Sequence, residues 1–291
     1  RMVEDPQDDK ALYWGSREKG LFYTYDDGKS WQHALPPLDT GFVRSIAVHP
    51  KEKCVIYISN GRQLFKTTDC ARSFDQIYEV ALRKFSSIEE LELAMPTVLD
   101  ADQLKAQSNA FYLSVMTRRI FQAGMTHSVI NSKWNHFEKV FWGFDPNKLV
   151  LIDDSFMERA MQDKGLIRHW GKLQTIPVNA LEMKDLTAEG ISFGEMIADW
   201  DQDITLLWLH ISKRFKRMGG QSTPYFLRMV GKDTFVLTND VVQKLLSLNV
   251  IDSKPTSKSD ILKVSQFFNE LKAYSGRPLS HISKLMALSL E

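Results

Sequence analysis

Along residues 83–291 the apolar side chains recur every three or four positions, the period of a helix with one buried face. In "YLSVMTRRIFQAGMTHSVINSKWNHFEKVFWGF", Val115, Ile120, Val129, Trp134, Phe137 and Phe141 follow that spacing, predicting two helices broken near Gly124. "SSIEELELAM" opens with serines that can cap a helix and places glutamates in its first turn. "DDSFMERAMQDKGLI", "FGEMIADW", "ITLLWLHISKRF", "DVVQKLLSL" and "SDILKVSQFFNELKAY" predict five more helices. Only "TFVLT" has strand character here, and it is too short to found a sheet. The expected fold is mainly α over 83–291, preceded by a short all-β segment in 1–80.

That first segment carries a repeat. "LFYTYDDGKSW" at 21–31 aligns with "LFKTTDCARSF" at 64–74, an offset of 43 residues. Short strands repeating at such a period are the pattern of propeller blades. Thr24, Asp26, Gly28, Ser30 and Trp31 resemble the Asp-box of sialidase- and sortilin-type repeats. Thr67, Asp69, Ser73 and Phe74 repeat it, with Ala71 in place of the glycine. In that motif the hydroxyl and carboxylate pin a hairpin turn while the aromatic ring wedges into the blade core. Two blades cannot close a ring, so 1–80 is expected to be an incomplete propeller-like segment with a folding role.

Composition changes this picture little. With 291 residues, 43% of them hydrophobic, the chain can build two ordinary cores. A net charge of +1 neither demands nor excludes a polyanionic partner, so any nucleic-acid surface must come from local clustering. Two cysteines, Cys54 and Cys70, form no zinc pattern; a disulfide between them is open. No apolar run approaches the roughly 20 residues of a membrane-spanning helix. The first residue is Arg1 rather than Met, which leaves room for an upstream segment.

One local cluster does exist. "HISKRFKRMGGQSTPYFLRMVGK" contains Lys213, Arg214, Lys216, Arg217, Arg228 and Lys232 with no acid among them. Gly219 and Gly220 permit a tight turn, and Ser222 or Thr223 can cap the helix that follows. Helix, glycine turn and helix among cations can grip a phosphate backbone without reading sequence. A solvated basic face weighs equally on these features alone. Beyond the second helix an extended link leads to Asn239 and Asp240, either of which can cap the next helix.

The order of hairpin, helix, extended link and helix-opening aspartate resembles the helix-hairpin-helix DNA glycosylase superfamily. More specifically, "FQAG", "FDP" and "DKGLIRHWGKL", in that order, with the tail "SGRPLSHISKLMAL", resemble the DNA-3-methyladenine glycosylase I family over about 83–291. The resemblance implies an enzyme that flips a nucleotide out of the stack and hydrolyses the bond between base and sugar. Asp240 falls on the catalytic aspartate and Gly220 on the last hairpin glycine. Ser222 stands where bifunctional members carry a lysine, implying a monofunctional hydrolase. Three departures accompany the match. Arg119 replaces a base-recognising glutamate, His127 replaces a stacking tryptophan, and the cysteine ligands of a zinc site are missing.

From this resemblance the base pocket is expected to use Phe121, Gln122, His127 and Trp170, with Trp134 assigned to packing. DNA contacts are expected at Arg217, Gly219, Gly220, Gln221, Ser222, Thr223, Lys232, Arg168 and Lys172. His169 fits a site residue and a plain surface residue equally well, and "FDP" is expected as a helix stop followed by a turn, without catalytic role. No cofactor or metal is expected. The expected partner is double-stranded DNA with an alkylated base, bound by a monomer in the cytoplasm near the nucleoid, without a membrane. A DNA-binding relative without excision, and a propeller-type interaction module with an accidental C-terminal fusion, are the alternatives.

Overall fold

The structure, a computed structural model, describes all residues except 35–37, 53, 61–63, 68–72, 249 and 291. It divides into two compact units. Unit 1 comprises Arg1–Met95, Leu237–Arg277 and His281–Glu291; unit 2 comprises Pro96–Val236 and Pro278–Ser280.

Unit 1 begins with two antiparallel sheets. β1 (Met2–Asp5), β2 (Asp8–Gly15), β3 (Leu21–Thr24) and β4 (Gln32–His33) pair in chain order. β5 (Ser45–Val48), β6 (Ile56–Ser59) and β7 (Leu64–Thr67) form the second sheet. β3 and β7 start 43 residues apart, the offset of the sequence repeat. Alternation along each strand sends Tyr13, Leu21, Tyr23, Ile46, Ile56 and Ile58 into one core. Gly15 is required by close approach, since a Cβ there would meet Val43 Cγ1 at 2.5 Å.

The turn after β3 is pinned as its residue types suggest. Thr24 Oγ1 donates to Asp26 Oδ1 (2.6 Å) and accepts from the Gly28 amide (3.2 Å). Asp26 also accepts from the Ser30 amide (2.9 Å) and the Ser30 hydroxyl (2.6 Å). These bonds, the Ser30 hydroxyl first, hold its carboxyl down to about 2. Trp31 departs from expectation: the residue is 39% exposed, and its ring lies edge-on to Trp14 instead of entering the core. Of the second expected box, Asp69 and Ala71 lie outside the described residues, as do the side chains of Ser73 and Phe74. Cys54 is disulfide-bonded, and Cys70 lies outside the described residues.

Helices follow: α1 (Ser73–Leu82), then α2 (Ile88–Leu93), whose Ser87 cap accepts from the Glu90 amide as its sequence predicts. Unit 2 is built from α3 (Ala101–Lys105), α4 (Asn109–Gln122), α5 (His127–Val140), α6 (Pro146–Leu149) and α7 (Asp154–Gln162). It continues through α8 (Trp170–Leu173), α9 (Thr175–Ala188), α10 (Phe193–Ala198), α11 (Ile204–Arg214) and α12 (Ser222–Met229). α13 (Asn239–Ser247), α14 (Lys258–Ser275) and α15 (Leu279–Leu288) complete the chain, α15 belonging to unit 1 from His281 onward. "TFVLT" runs extended and largely buried but joins no strand among the described residues.

The predicted break falls at Gly124, whose φ of 75° ends the α4 segment and redirects the chain into α5. Ile120, Trp134, Phe137 and Phe141 are buried as their spacing predicts, whereas Val115 is half-buried and Val129 exposed. Trp134 stacks on Phe137 (5.0 Å) and Phe144 (5.5 Å). Its indole nitrogen donates to Ser114 Oγ and Glu138 Oε1. "FDP" follows the end of a helical turn as expected, but it opens a helix instead of a turn: Asp145 caps α6 by accepting from the Asn147 amide, with Pro146 in the first turn.

Candidate functional site

The basic hairpin lies in unit 2, between α11 and α12, but fewer of its cations reach solvent than the sequence suggests. Arg214 is held by Glu182 and Glu189, the latter bidentately at 2.8 and 3.1 Å, which raises its pKa. Arg228 is largely buried, and desolvation pushes it down to about 10. Lys232 donates to the Ala198 carbonyl at the end of α10 (3.0 Å), so it serves as a helix-end contact and not as an open DNA-binding cation. Lys213, Lys216 and Arg217 remain exposed.

The turn itself is made by positive φ at Arg217 (62°) and Gly220 (58°). Gly219 and Gly220 are exposed, and a Cβ on either would meet nothing within 4 Å. Glycine at 220 therefore answers to backbone conformation rather than to crowding. The expected caps are displaced by one residue or more. Gln221 occupies the capping position but its side chain does not cap the helix, while Ser222 and Thr223 are buried. Thr223 Oγ1 donates back to the Met218 carbonyl at 2.5 Å, fixing the turn from inside.

A residue that the sequence did not flag clamps this turn. Asn179 on α9 is buried; its Oδ1 accepts from the Lys216 amide (2.7 Å) and its Nδ2 donates to the Lys216 carbonyl (3.2 Å). Pro177 conceals α9 in the sequence, because a proline reads as a helix breaker although it is tolerated in a first turn. Asn179→Ala leaves both peptide groups of Lys216 without that partner. An expected loss of about 1–3 kcal/mol in urea-induced unfolding follows. Unchanged stability would show that solvent satisfies the turn equally well.

Two cavities in unit 2 separate the expected pocket residues. The first, about 530 Å³, opens at the α4–α5 break and is lined by Arg119, Gln122, Thr126, His127 and Tyr225 among others. The second, about 690 Å³, is lined by Trp170, Gly171, Lys216, Arg217, Asp153 and others. Gln122 and His127 thus share one cavity, and Trp170 belongs with Arg217 beside the hairpin. Arg217 Nε donates to the Gly171 carbonyl (2.9 Å), joining the hairpin to the start of α8.

Two expected site residues are structural. Phe121 is packed into the core against Phe137 (5.0 Å) and lines neither cavity. Lys172 is buried, and its Nζ donates to the carbonyls of Phe121 (3.1 Å) and Ala123 (2.7 Å) at the end of α4. Burial first, then the charges of Arg217 and Arg119, lower its pKa. It was expected to meet DNA, but at this position it stabilises carbonyls left open by a helix end. Arg168 and His169 are exposed.

Asp240 belongs to unit 1, in the first turn of α13. The cap there is neither Asn239 nor Asp240 but Thr238, whose hydroxyl accepts from the Val241 amide (3.2 Å). That leaves the exposed Asp240 carboxylate without a capping duty. No group of three or more His, Cys, Asp or Glu among the described residues is placed to hold a metal ion.

Known proteins resemble the middle of this chain. Residues 102–216 match the family described as methyladenine glycosylase. DNA-3-methyladenine glycosylase 1 of Escherichia coli (strain K12) is 33% identical over 76 residues, 26% of this chain and 41% of that protein. DNA-3-methyladenine glycosylase of Haemophilus influenzae is 32% identical over 76 residues, with the same shares. The chain thus spans about two-fifths of the length of these curated relatives. Among solved structures, 8-oxoguanine DNA glycosylase of Methanocaldococcus jannaschii matches with a TM-score of 0.50 at 14% identity, covering 73% of this chain and 91% of that one. This last likeness is one of fold. Residues 102–216, spanning α3 to the hairpin, are therefore the part of the chain that is similar to methyladenine glycosylases.

Proposed function

We propose that the chain is a monofunctional DNA glycosylase of base-excision repair, hydrolysing the N-glycosidic bond of an alkylated purine in double-stranded DNA after flipping it from the stack. The observation that carries this is positional. The segment similar to methyladenine glycosylases contributes most of the lining of the cavity at the α4–α5 break, whose volume suits a small aromatic ligand. Lys216, Arg217 and the exposed Gly219–Gly220 turn form the backbone-gripping face, and the α12 N-terminus beside them favours phosphate. Asp240 supplies the carboxylate that offsets positive charge on the sugar and accepts a proton from the attacking water. What supports Asp240 is its exposure and its freedom from capping. The enzyme acts as a monomer, without cofactor, on chromosomal DNA in the cytoplasm.

For residues 1–80 the bond set of Thr24, Asp26, Gly28 and Ser30 supports an Asp-box turn in an incomplete propeller-like segment with a folding role. Incubating the protein with alkylated duplex DNA and identifying liberated bases by mass spectrometry tests the enzymatic proposal. Release of free modified bases is expected; salt-sensitive DNA binding with no base released would favour a non-catalytic DNA-binding protein.

A further inference from the structure

Arg119 is an unusual floor for a base pocket. It lies one turn from the end of α4 and is only 8% exposed, yet it lines the cavity at the α4–α5 break. Its buried Nε has no hydrogen-bond partner. The guanidinium rests over the Tyr225 ring, 4.3 Å from its centroid, and no carboxylate lines the cavity. The neighbouring cation, Lys172, is already committed to two main-chain carbonyls. An arginine stays protonated at neutral pH, so this cavity holds a buried positive charge with donors still to satisfy. A planar fork of N–H donors matches two adjacent acceptors, such as a carbonyl oxygen and ring nitrogen on one purine edge.

We propose that Arg119 is a specificity-determining residue, and that the cavity takes an uncharged purine presenting an oxygen or ring-nitrogen acceptor edge in preference to a purine made cationic by ring alkylation. The inference rests on the glycosylase proposal and shifts its substrate from alkylated purines at large to uncharged ones: an O-alkylated or deaminated purine fits, whereas a second cation meets repulsion in a poorly screened site. It also meets a chemical need. A cationic base leaves as a neutral molecule, but an uncharged purine leaves with the electron pair of the C1′–N9 bond and carries negative charge. Hydrogen bonds from Arg119 stabilise that developing anion. Water adds to C1′ and gives up one proton, the departing purine takes one up, and the net reaction consumes one water.

The test compares duplexes containing hypoxanthine or O6-methylguanine with one containing 7-methylguanine, for the wild type, Arg119→Gln and Arg119→Lys. The wild type is expected to release the uncharged bases at least about tenfold faster than the cationic one. Arg119→Gln should narrow that ratio, and Arg119→Lys should retain part of it. Equal or faster release of 7-methylguanine by the wild type overturns the inference while leaving the glycosylase proposal standing. So does an unchanged ratio in a folded Arg119→Gln. If no duplex yields free base, the glycosylase proposal fails, and binding of free nucleosides to the wild type decides the pocket. Tighter binding of inosine than of cationic 1-methyladenosine supports it, and any other order, or no binding, ends it.

Discussion

Asp240→Asn is expected to reduce release of the modified base roughly 10²- to 10⁴-fold while leaving DNA binding intact. An amide of the same shape can neither balance a positive charge growing on the sugar nor accept a proton from water. The substitution is structurally mild. Thr238, not Asp240, closes the start of α13, and the carboxylate is exposed. Only a favourable interaction with the helix dipole is lost, and solvent screens it at the surface. Single-turnover excision and fluorescence anisotropy on the same duplex separate chemistry from binding. Undiminished excision would remove Asp240 from the mechanism, and parallel loss of binding would recast it as a docking residue.

The second large effect concerns folding. Trp134→Ala should destabilise the protein by about 3–5 kcal/mol, the range for truncating a buried aromatic. Its ring is sandwiched with Phe137 and Phe144, so truncation opens a cavity within a rigid aromatic stack. The indole N–H also bonds Ser114 and Glu138, and the carboxylate then keeps only the serine. Trp134→Phe should recover much of the loss by restoring the stack without the donor. Urea unfolding measures both. A Trp134→Ala midpoint close to wild type would mean that the stack relaxes and fills the space.

The wall of the proposed pocket shows where sequence patterns stop being informative. Phe121, Gln122 and His127 are neighbours in one motif, yet a helix turns by about 100° per residue and then breaks at Gly124. Phe121 therefore enters the core while Gln122 and His127 line the cavity. Trp170, grouped with them by residue type, lies at a second cavity because α8 sits against Arg217. Charge counting misled for a similar reason. Six cations in one run look like a patch, but Arg214 meets two glutamates from α9 and its C-terminal end, and Lys232 meets the end of α10. None of these partners is near in sequence. Asn179 was missed because its role depends on a turn 37 residues away.

What the sequence determined by itself is local: a 43-residue repeat of strands, helices from their period of apolar residues, the cap at Ser87, and the break at Gly124. These features follow from backbone sterics and hydrogen bonds within a few residues. Tertiary structure alone decided which cations stay free, which aromatics line a cavity, and that Arg119 carries a buried charge without an acid beside it. Burial and pairing are properties of neighbours in space, and the chain brings those together only after it folds.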